Sequence, residues 1–208
     1  MKLTNPKISI CEEKDLLEAY YENEFNNYHF TNNIQKQITI SNQTIDSCIF
    51  EKIDFNNISF EDVNLIDTIF DSCDISNKTF DDKLIGRVIF KNCKILGTSF
   101  INASMKDIVI ESCTAKYLNF SNAKITNLII KDSDLSETTF QETEIKNIEL
   151  DQVNLYHTEF IKTKLLGVDF SNSTIDNTIF DSYSIKGITI DRFQAIALVG
   201  SLGVKIKE

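Results

Sequence analysis

From Ile40 to Ile190 every fifth residue of this chain is apolar, and the pattern runs without a slip. All 31 of these positions are apolar, and all but Ala115 are large. A helix repeats every 3.6 residues and a strand every 2, so neither gives a period of five. A period of five needs a chain that turns a corner once per repeat. With the large residue as the centre, the residue two before it is small or modest, as at Cys48, Val63, Thr98, Ala123 and Ser173. Residues two apart in an extended segment share a face, so both point inward. Two residues after the centre, the thirty positions from 42 to 187 hold ten Asn, five Asp, four Ser and three Gly. These types suit tight corners, because they tolerate left-handed backbone or bond to their own backbone. Asn57, Asn77, Gly97, Asn122, Asn172 and Gly187 are examples.

Four corners close a square coil of 20 residues. The column Phe60, Phe80, Phe100, Phe120, Phe140, Phe160 and Phe180 supports this independently, since it repeats at that spacing. Coils stacked at the strand spacing of about 4.8 Å make nearly eight turns and a rod roughly 37 Å long. Nothing is inserted or deleted between 36 and 190, so no functional loop is expected there.

The order small–polar–large–X–corner, as in Val63-Asn64-Leu65 and Ser133-Asp134-Leu135, resembles the pentapeptide-repeat consensus A(D/N)LXX. The resemblance covers about three quarters of the chain and implies an all-β, right-handed quadrilateral parallel β-helix. The chain looks most like the small bacterial members grouped with quinolone-resistance and microcin-immunity proteins. Those end in a short helix and a Gly-containing strand, as Phe193 to Ile206 does here. The resemblance implies an acidic, often dimeric rod that mimics duplex DNA and binds DNA gyrase or topoisomerase IV. Some members carry loops that matter for drug protection, and this array has none.

An open β-helix needs covered ends. Residues 1–35 read as an N-terminal cap, with a short acidic helix over Glu12 to Tyr20, and 36–190 as the array. Residues 191–208 read as a capping helix and short strand, with Asp191 as N-cap and Gly203 as stop. Phe193, Ile196, Leu198, Val199 and Leu202 surround that helix. One side plugs the barrel, and the other is a candidate homodimer surface.

Net charge is −10, from 31 acids and 21 bases. Binding nucleic acid directly is disfavoured, because phosphates call for Lys and Arg. The acid is concentrated. The face of the Phe column carries Glu61, Asp62, Asp81, Asp82, Glu142, Glu159 and Asp181 against Lys162, a balance of −6. The face centred on Ile45, Leu65 and Ile85 has a balance of +2. Two readings stand: an acidic strip that copies one DNA strand's phosphates, or an ordinary solvated face interrupted by Ile101, Ser121 and Asn122.

Nothing points to catalysis, a cofactor or a metal. His29 and His157 are the two histidines, and His157 falls at an outward corner. Cys73, Cys93 and Cys113 stack 20 apart and read as small buried core residues, inert through burial. Five cysteines without a CxxC pair, no apolar leader and no 18-residue apolar run point to the cytoplasm, not a membrane. Ala115 leaves a deficit in its column that Tyr117 or another neighbour would fill. A non-enzymatic protein-binding rod follows, with a type II topoisomerase as one partner and a scaffold for some other protein as the alternative.

Overall fold

A computed structural model describes residues 3–9, 11–201, 204–205 and 207. The chain winds into a right-handed quadrilateral parallel β-helix of about eight turns with a short C-terminal helix. The strands are β1 (Glu12–Glu13), β2 (Tyr28–Phe30), β3 (Ile38–Asp46), β4 (Ile49–Glu51), β5 (Ile58–Asp71) and β6 (Leu84–Lys91). Then come β7 (Ser104–Glu111), β8 (Lys124–Lys131), β9 (Glu144–Asp151), β10 (Glu159–Phe160) and β11 (Ile179–Phe180). All pairings are parallel, and all except β1 with β2 join residues 20 apart, as in Leu65 with Ile85 and Ile125 with Ile145.

The corner explains why the chain coils. Of the positions two after a centre, from 42 to 187, all have positive φ except Asn57, Asn172 and Ser182. Asn57 closes a 3-10 turn over Phe55–Asn57 instead. The corner also forces left-handed backbone on Lys52, Arg87, Tyr117, Glu137, Gln152 and Lys162, which gain nothing locally from it. Each costs about 1 kcal/mol or more, and stacking offsets the cost. With the chain turned this way, the centre and corner amides reach the next coil. Phe120 N donates to Thr139 O at 2.9 Å and Asn122 N to Gln141 O at 2.9 Å.

The two inward positions have distinct jobs. The small residue bonds to the coil below: the hydroxyls of Thr98, Thr143 and Thr158 donate to Ile75 O, Phe120 O and Leu135 O at 2.9, 2.8 and 2.8 Å. A small hydrogen-bonding side chain therefore caps a centre carbonyl, which at Phe120 and Leu135 also accepts the amide three residues on. The polar residue before the centre accepts the amide two residues on, as Asp74, Asn119 and Asp134 do from Ser76, Ser121 and Ser136. The large centres fill the bore. From Phe80 to Phe160 the rings stack with centroids 4.8–5.8 Å apart. A second ladder of Phe30, Phe50, Phe70 and Phe90 runs beside it at 5.0–5.2 Å. Phe180 departs from the expected core, since it is only half-buried near the end of the stack, where little lies above it.

The stacking starts inside the expected cap. Asn26 bridges to Asp46, β2 pairs with β4, and Phe25 and Phe30 are fully inside. The cap helix α1 spans Leu16–Glu22, not Glu12 to Tyr20. Glu12 and Glu13 extend to pair with β2, and Asp15 then caps the helix by accepting the Leu17 and Glu18 amides at 2.9 Å. Leu16 and Ala19 plug the bore. Ala115 is fully buried while Tyr117 is 53 % exposed, so Tyr117 does not fill the deficit.

Phe120→Ala, in the middle of the ring ladder, should lower unfolding free energy by about 3–5 kcal/mol in urea titrations. Gly97→Ala should lose about 1–2 kcal/mol, because its φ is +61° and a Cβ there would lie 2.8 Å from Asn77 Oδ1.

Candidate functional site

The fold lines up the outward residues of each side at coil spacing. On the face of the Phe column, Glu61, Asp62, Asp82 and Glu142 are exposed, and Asp81, Glu159 and Asp181 are half-buried. They do not form one continuous strip. Glu61 to Asp82 lie on two coils near one end and Glu142 to Asp181 near the other, with the uncharged Ile101, Asn102, Ser121 and Asn122 on this face between them.

Several of the seven are also committed to the protein itself. Asp62 is ion-paired with Lys83, and Glu142 with Lys162 at 2.8 Å. Lys83 sits at a nominally inward position, so a count of outward residues overlooks it. Its aliphatic stem turns out along the corner and its amine reaches the acidic face. Asp81 accepts the Ser99 hydroxyl and the Ile101 amide at 2.5 and 2.8 Å. Asp181 accepts the Lys162 and Ser184 amides, and the Ser184 bonds hold its pKa below the usual carboxylate range. Glu61, Asp82 and Glu159 remain as carboxylates outside any ion pair among the described residues, with Asp82 accepting from the Asn102 side chain.

The adjoining face holds two buried acids, Asp67 and Asp107. Asp67 is 5 % exposed and takes a bidentate bond from Arg87 at 2.5 and 2.6 Å. The Lys7 amide adds a third bond at 2.7 Å, which ties residues 3–9 to this side. Arg87, and after it the Lys7 amide, lower the carboxyl pKa against the opposing effect of burial.

The cysteine ladder has the hydrogen bonding of a structural element. Sγ of Cys73, Cys93 and Cys113 donates to Phe50 O, Phe70 O and Phe90 O at 3.3, 3.3 and 3.4 Å. Cys73 and Cys93 accept the next inward amide below, and Ser133 continues the column by accepting from Cys113 N. The thiols therefore do the work that threonine does elsewhere. Hydrogen bonding to Cys93, then burial, raises the pKa of Cys73 and Cys113. Those same bonds make Cys93 the first of the three to lose a proton. Burial pushes Cys48 up to about 12 and also raises Cys11. Among the described residues no three His, Cys, Asp or Glu side chains group as metal ligands. His157 sits at a corner and stacks on Tyr156.

The terminal helix α2 (Arg192–Ser201) docks through a polar residue that hydrophobicity does not reveal. Asp191 accepts the Phe193 and Gln194 amides at 2.6 and 2.8 Å, and Gln194 Oε1 accepts the Asp191 amide at 2.8 Å. Gln194 Nε2 then donates to Phe170 O and Ser173 O of the last coils at 2.9 and 2.7 Å. The readable signal was Asp-x-x-Gln, a reciprocal capping pair. Phe193 and Ile196 are 67 % and 52 % exposed, whereas Leu198 and Val199 are half-buried. Leu202, Gly203 and Ile206 lie outside the described residues. No described helix is long and apolar enough to cross a membrane.

A family model described as a pentapeptide repeat region matches residues 63–140. No curated protein matches the chain. Among solved structures, full-length QnrB1, a plasmid-mediated fluoroquinolone resistance protein, is 19 % identical over 86 % of this chain and 89 % of its own, with a TM-score of 0.45. A pentapeptide repeat protein from the Arabidopsis thaliana thylakoid lumen is 17 % identical, covering 64 % and 71 % of the two chains, with a TM-score of 0.33. HetL, a pentapeptide repeat protein involved in heterocyst differentiation regulation from the cyanobacterium Nostoc sp. strain PCC 7120, is 11 % identical over 84 % and 95 %, with a TM-score of 0.27. At these identities and scores nothing about function passes from them to this chain.

Two measurements check the site chemistry. In the native state at pH 8, an aromatic disulfide reagent should label at most Cys11, with the other four thiols appearing only on unfolding. Asp67→Asn should be less stable than the parent at pH 7. A lowered carboxyl pKa stabilises the fold above its unfolded value of about 3.9, and that contribution is lost as pH falls through the folded value. The difference between the two proteins in thermal melts should therefore shrink as pH is lowered below the unfolded value of about 3.9.

Proposed function

This chain belongs to the pentapeptide-repeat family, and from that premise we propose that it is a non-enzymatic protein-binding rod. Its acidic face stands in for the phosphates of a DNA strand, and its partner is a basic, DNA-binding protein. The observation that carries this reading is the face of the Phe column, on which Glu61, Asp82 and Glu159 stay outside any ion pair among the described residues, in two acidic groups toward its ends. Charge held on a rigid face steers a basic partner and loses little entropy on binding. A type II topoisomerase, DNA gyrase or topoisomerase IV, is the first such partner to test, given the chain's resemblance to quinolone-resistance-type members. The exposed Phe193 and Ile196 on α2 fit a homodimer that would double the length of the rod. The cytoplasm, where such a partner resides, is the proposed location.

A second reading has its own support. Asp62 and Glu142 are ion-paired, and Asp81 and Asp181 hold backbone amides, so much of the strip serves the fold. On that reading the rod is a scaffold for a different protein. A supercoiling assay with bacterial gyrase, relaxed plasmid and ATP separates the two. The DNA-mimic reading expects inhibition at micromolar protein, reversed by salt and at least tenfold weaker in the triple variant Glu61→Lys, Asp82→Lys, Glu159→Lys. Asp81 is left intact because its removal would unfold a corner. Full inhibition by the triple variant, or none by the folded parent, would sink it.

A further inference from the structure

The wall of the solenoid is parted above β9. In the regular coils the centre and corner amides donate to the coil above, and Glu142 N still does so to Ile161 O at 2.8 Å. Past that point the ladder stops. Among the described residues, Ile145, Lys146, Asn147 and Ile148 of β9 make no backbone hydrogen bond to residues 162–169, and β9 is the last strand of its sheet. Bonding resumes at Gln152 N to Asn172 O, 20 residues on, where Asp132 N to Asp151 O spans 19. Gly167 N to Gly187 O has the same one-residue slip. The segment after Lys162 bonds to the coil after it, as Phe170 N does to Thr189 O at 2.8 Å, and not to β9.

The parting exposes core. Ile145 and Ile148 are half-buried, where Ile125 and Leu128 one coil below are 1 % and 0 % exposed. Ile145, Asn147 and Ile148 form one wall of a crevice of about 580 Å³, with Leu166, Gly167 and Val168 across it. A second hollow continues from Ile145 toward Tyr183. Leu166 and Tyr183 stand 68 % and 51 % exposed at the rim.

The geometry points to a peptide-binding groove in which β9 accepts an extended, acidic segment of a partner protein as an added strand. An unpaired strand edge offers main-chain donors and acceptors in register. The half-open Ile145 and Ile148 give apolar footing to alternate side chains. Charge selects the class of peptide. Lys124, Lys146, Lys164 and Lys186 are exposed along this side and make no ion pair among the described residues, against Glu144, with Glu149 paired to Lys131 and Glu142 to Lys162. The groove lies on the basic side of the rod and does not depend on the acidic face.

The test uses the full chain and a fluorescein-labelled ten-residue peptide of alternating Glu and Val. Fluorescence anisotropy should show saturable binding, weakened at least tenfold by Lys146→Glu with Lys164→Glu, two exposed changes that leave the fold intact. Hydrogen exchange should find the Ile145 and Asn147 amides fast in the free protein and protected by the peptide. No saturable binding overturns the proposal. So does equal binding of a peptide whose valines are all N-methylated, which keeps the charge but removes one main-chain edge. Slow exchange of the two amides in the free protein, meaning a closed wall, overturns it as well.

Discussion

Everything in this molecule hangs on the main-chain hydrogen bonds between one coil and the next. A coil of 20 residues has no core of its own. It gains one when its inward side chains meet those of its neighbours, and that requires centre and corner amides to find carbonyls 19 residues on. The left-handed corner is the device that aims them, which is why Lys52, Arg87 and Tyr117 accept an unfavourable backbone. The inward threonines and cysteines complete the ladder by capping centre carbonyls. Packing and hydrogen bonding are therefore one cooperative system, renewed once per turn.

This arrangement separates fold from surface. Two residues in five are fixed by the bore, one is held by the corner, and the rest face water with few obligations. Charge can then be sorted by side without disturbing the core, giving one acidic face and a neighbouring basic one. The acidic residues show the limit of that freedom. Asp81 and Asp181 look like free surface charge but hold amides, and Asp62 and Glu142 have lysine partners.

The coil, its period and its inward residues were legible because a five-residue rhythm has so few physical solutions. Cys73, Cys93 and Cys113, expected inside from their spacing, are buried and bond to main-chain carbonyls. Less legible was whatever depends on geometry between coils. Lys83 occupies an inward slot by position, yet its long stem carries the charge outward. Gln194 looked like an interruption of an apolar helix and proved to be its anchor, a role visible only through its capping partner Asp191. The parted wall above β9 left no trace in the rhythm, since the period stays intact from 140 to 190 while main-chain bonds above β9 are missing and two nearby ones slip by one residue.

That slip has a mechanical side. A solenoid pulled from its ends resists in series, with every coil bearing the same load and the weakest seam yielding first. Each coil that lets go releases roughly 70 Å of extended chain, so rupture should proceed as a staircase and not as one event. The seam above β9 carries fewer bonds than any regular junction and sits well toward one end. Under tension the rod would shed its last turns and keep the rest, behaving as a long stiff segment with a detachable tip.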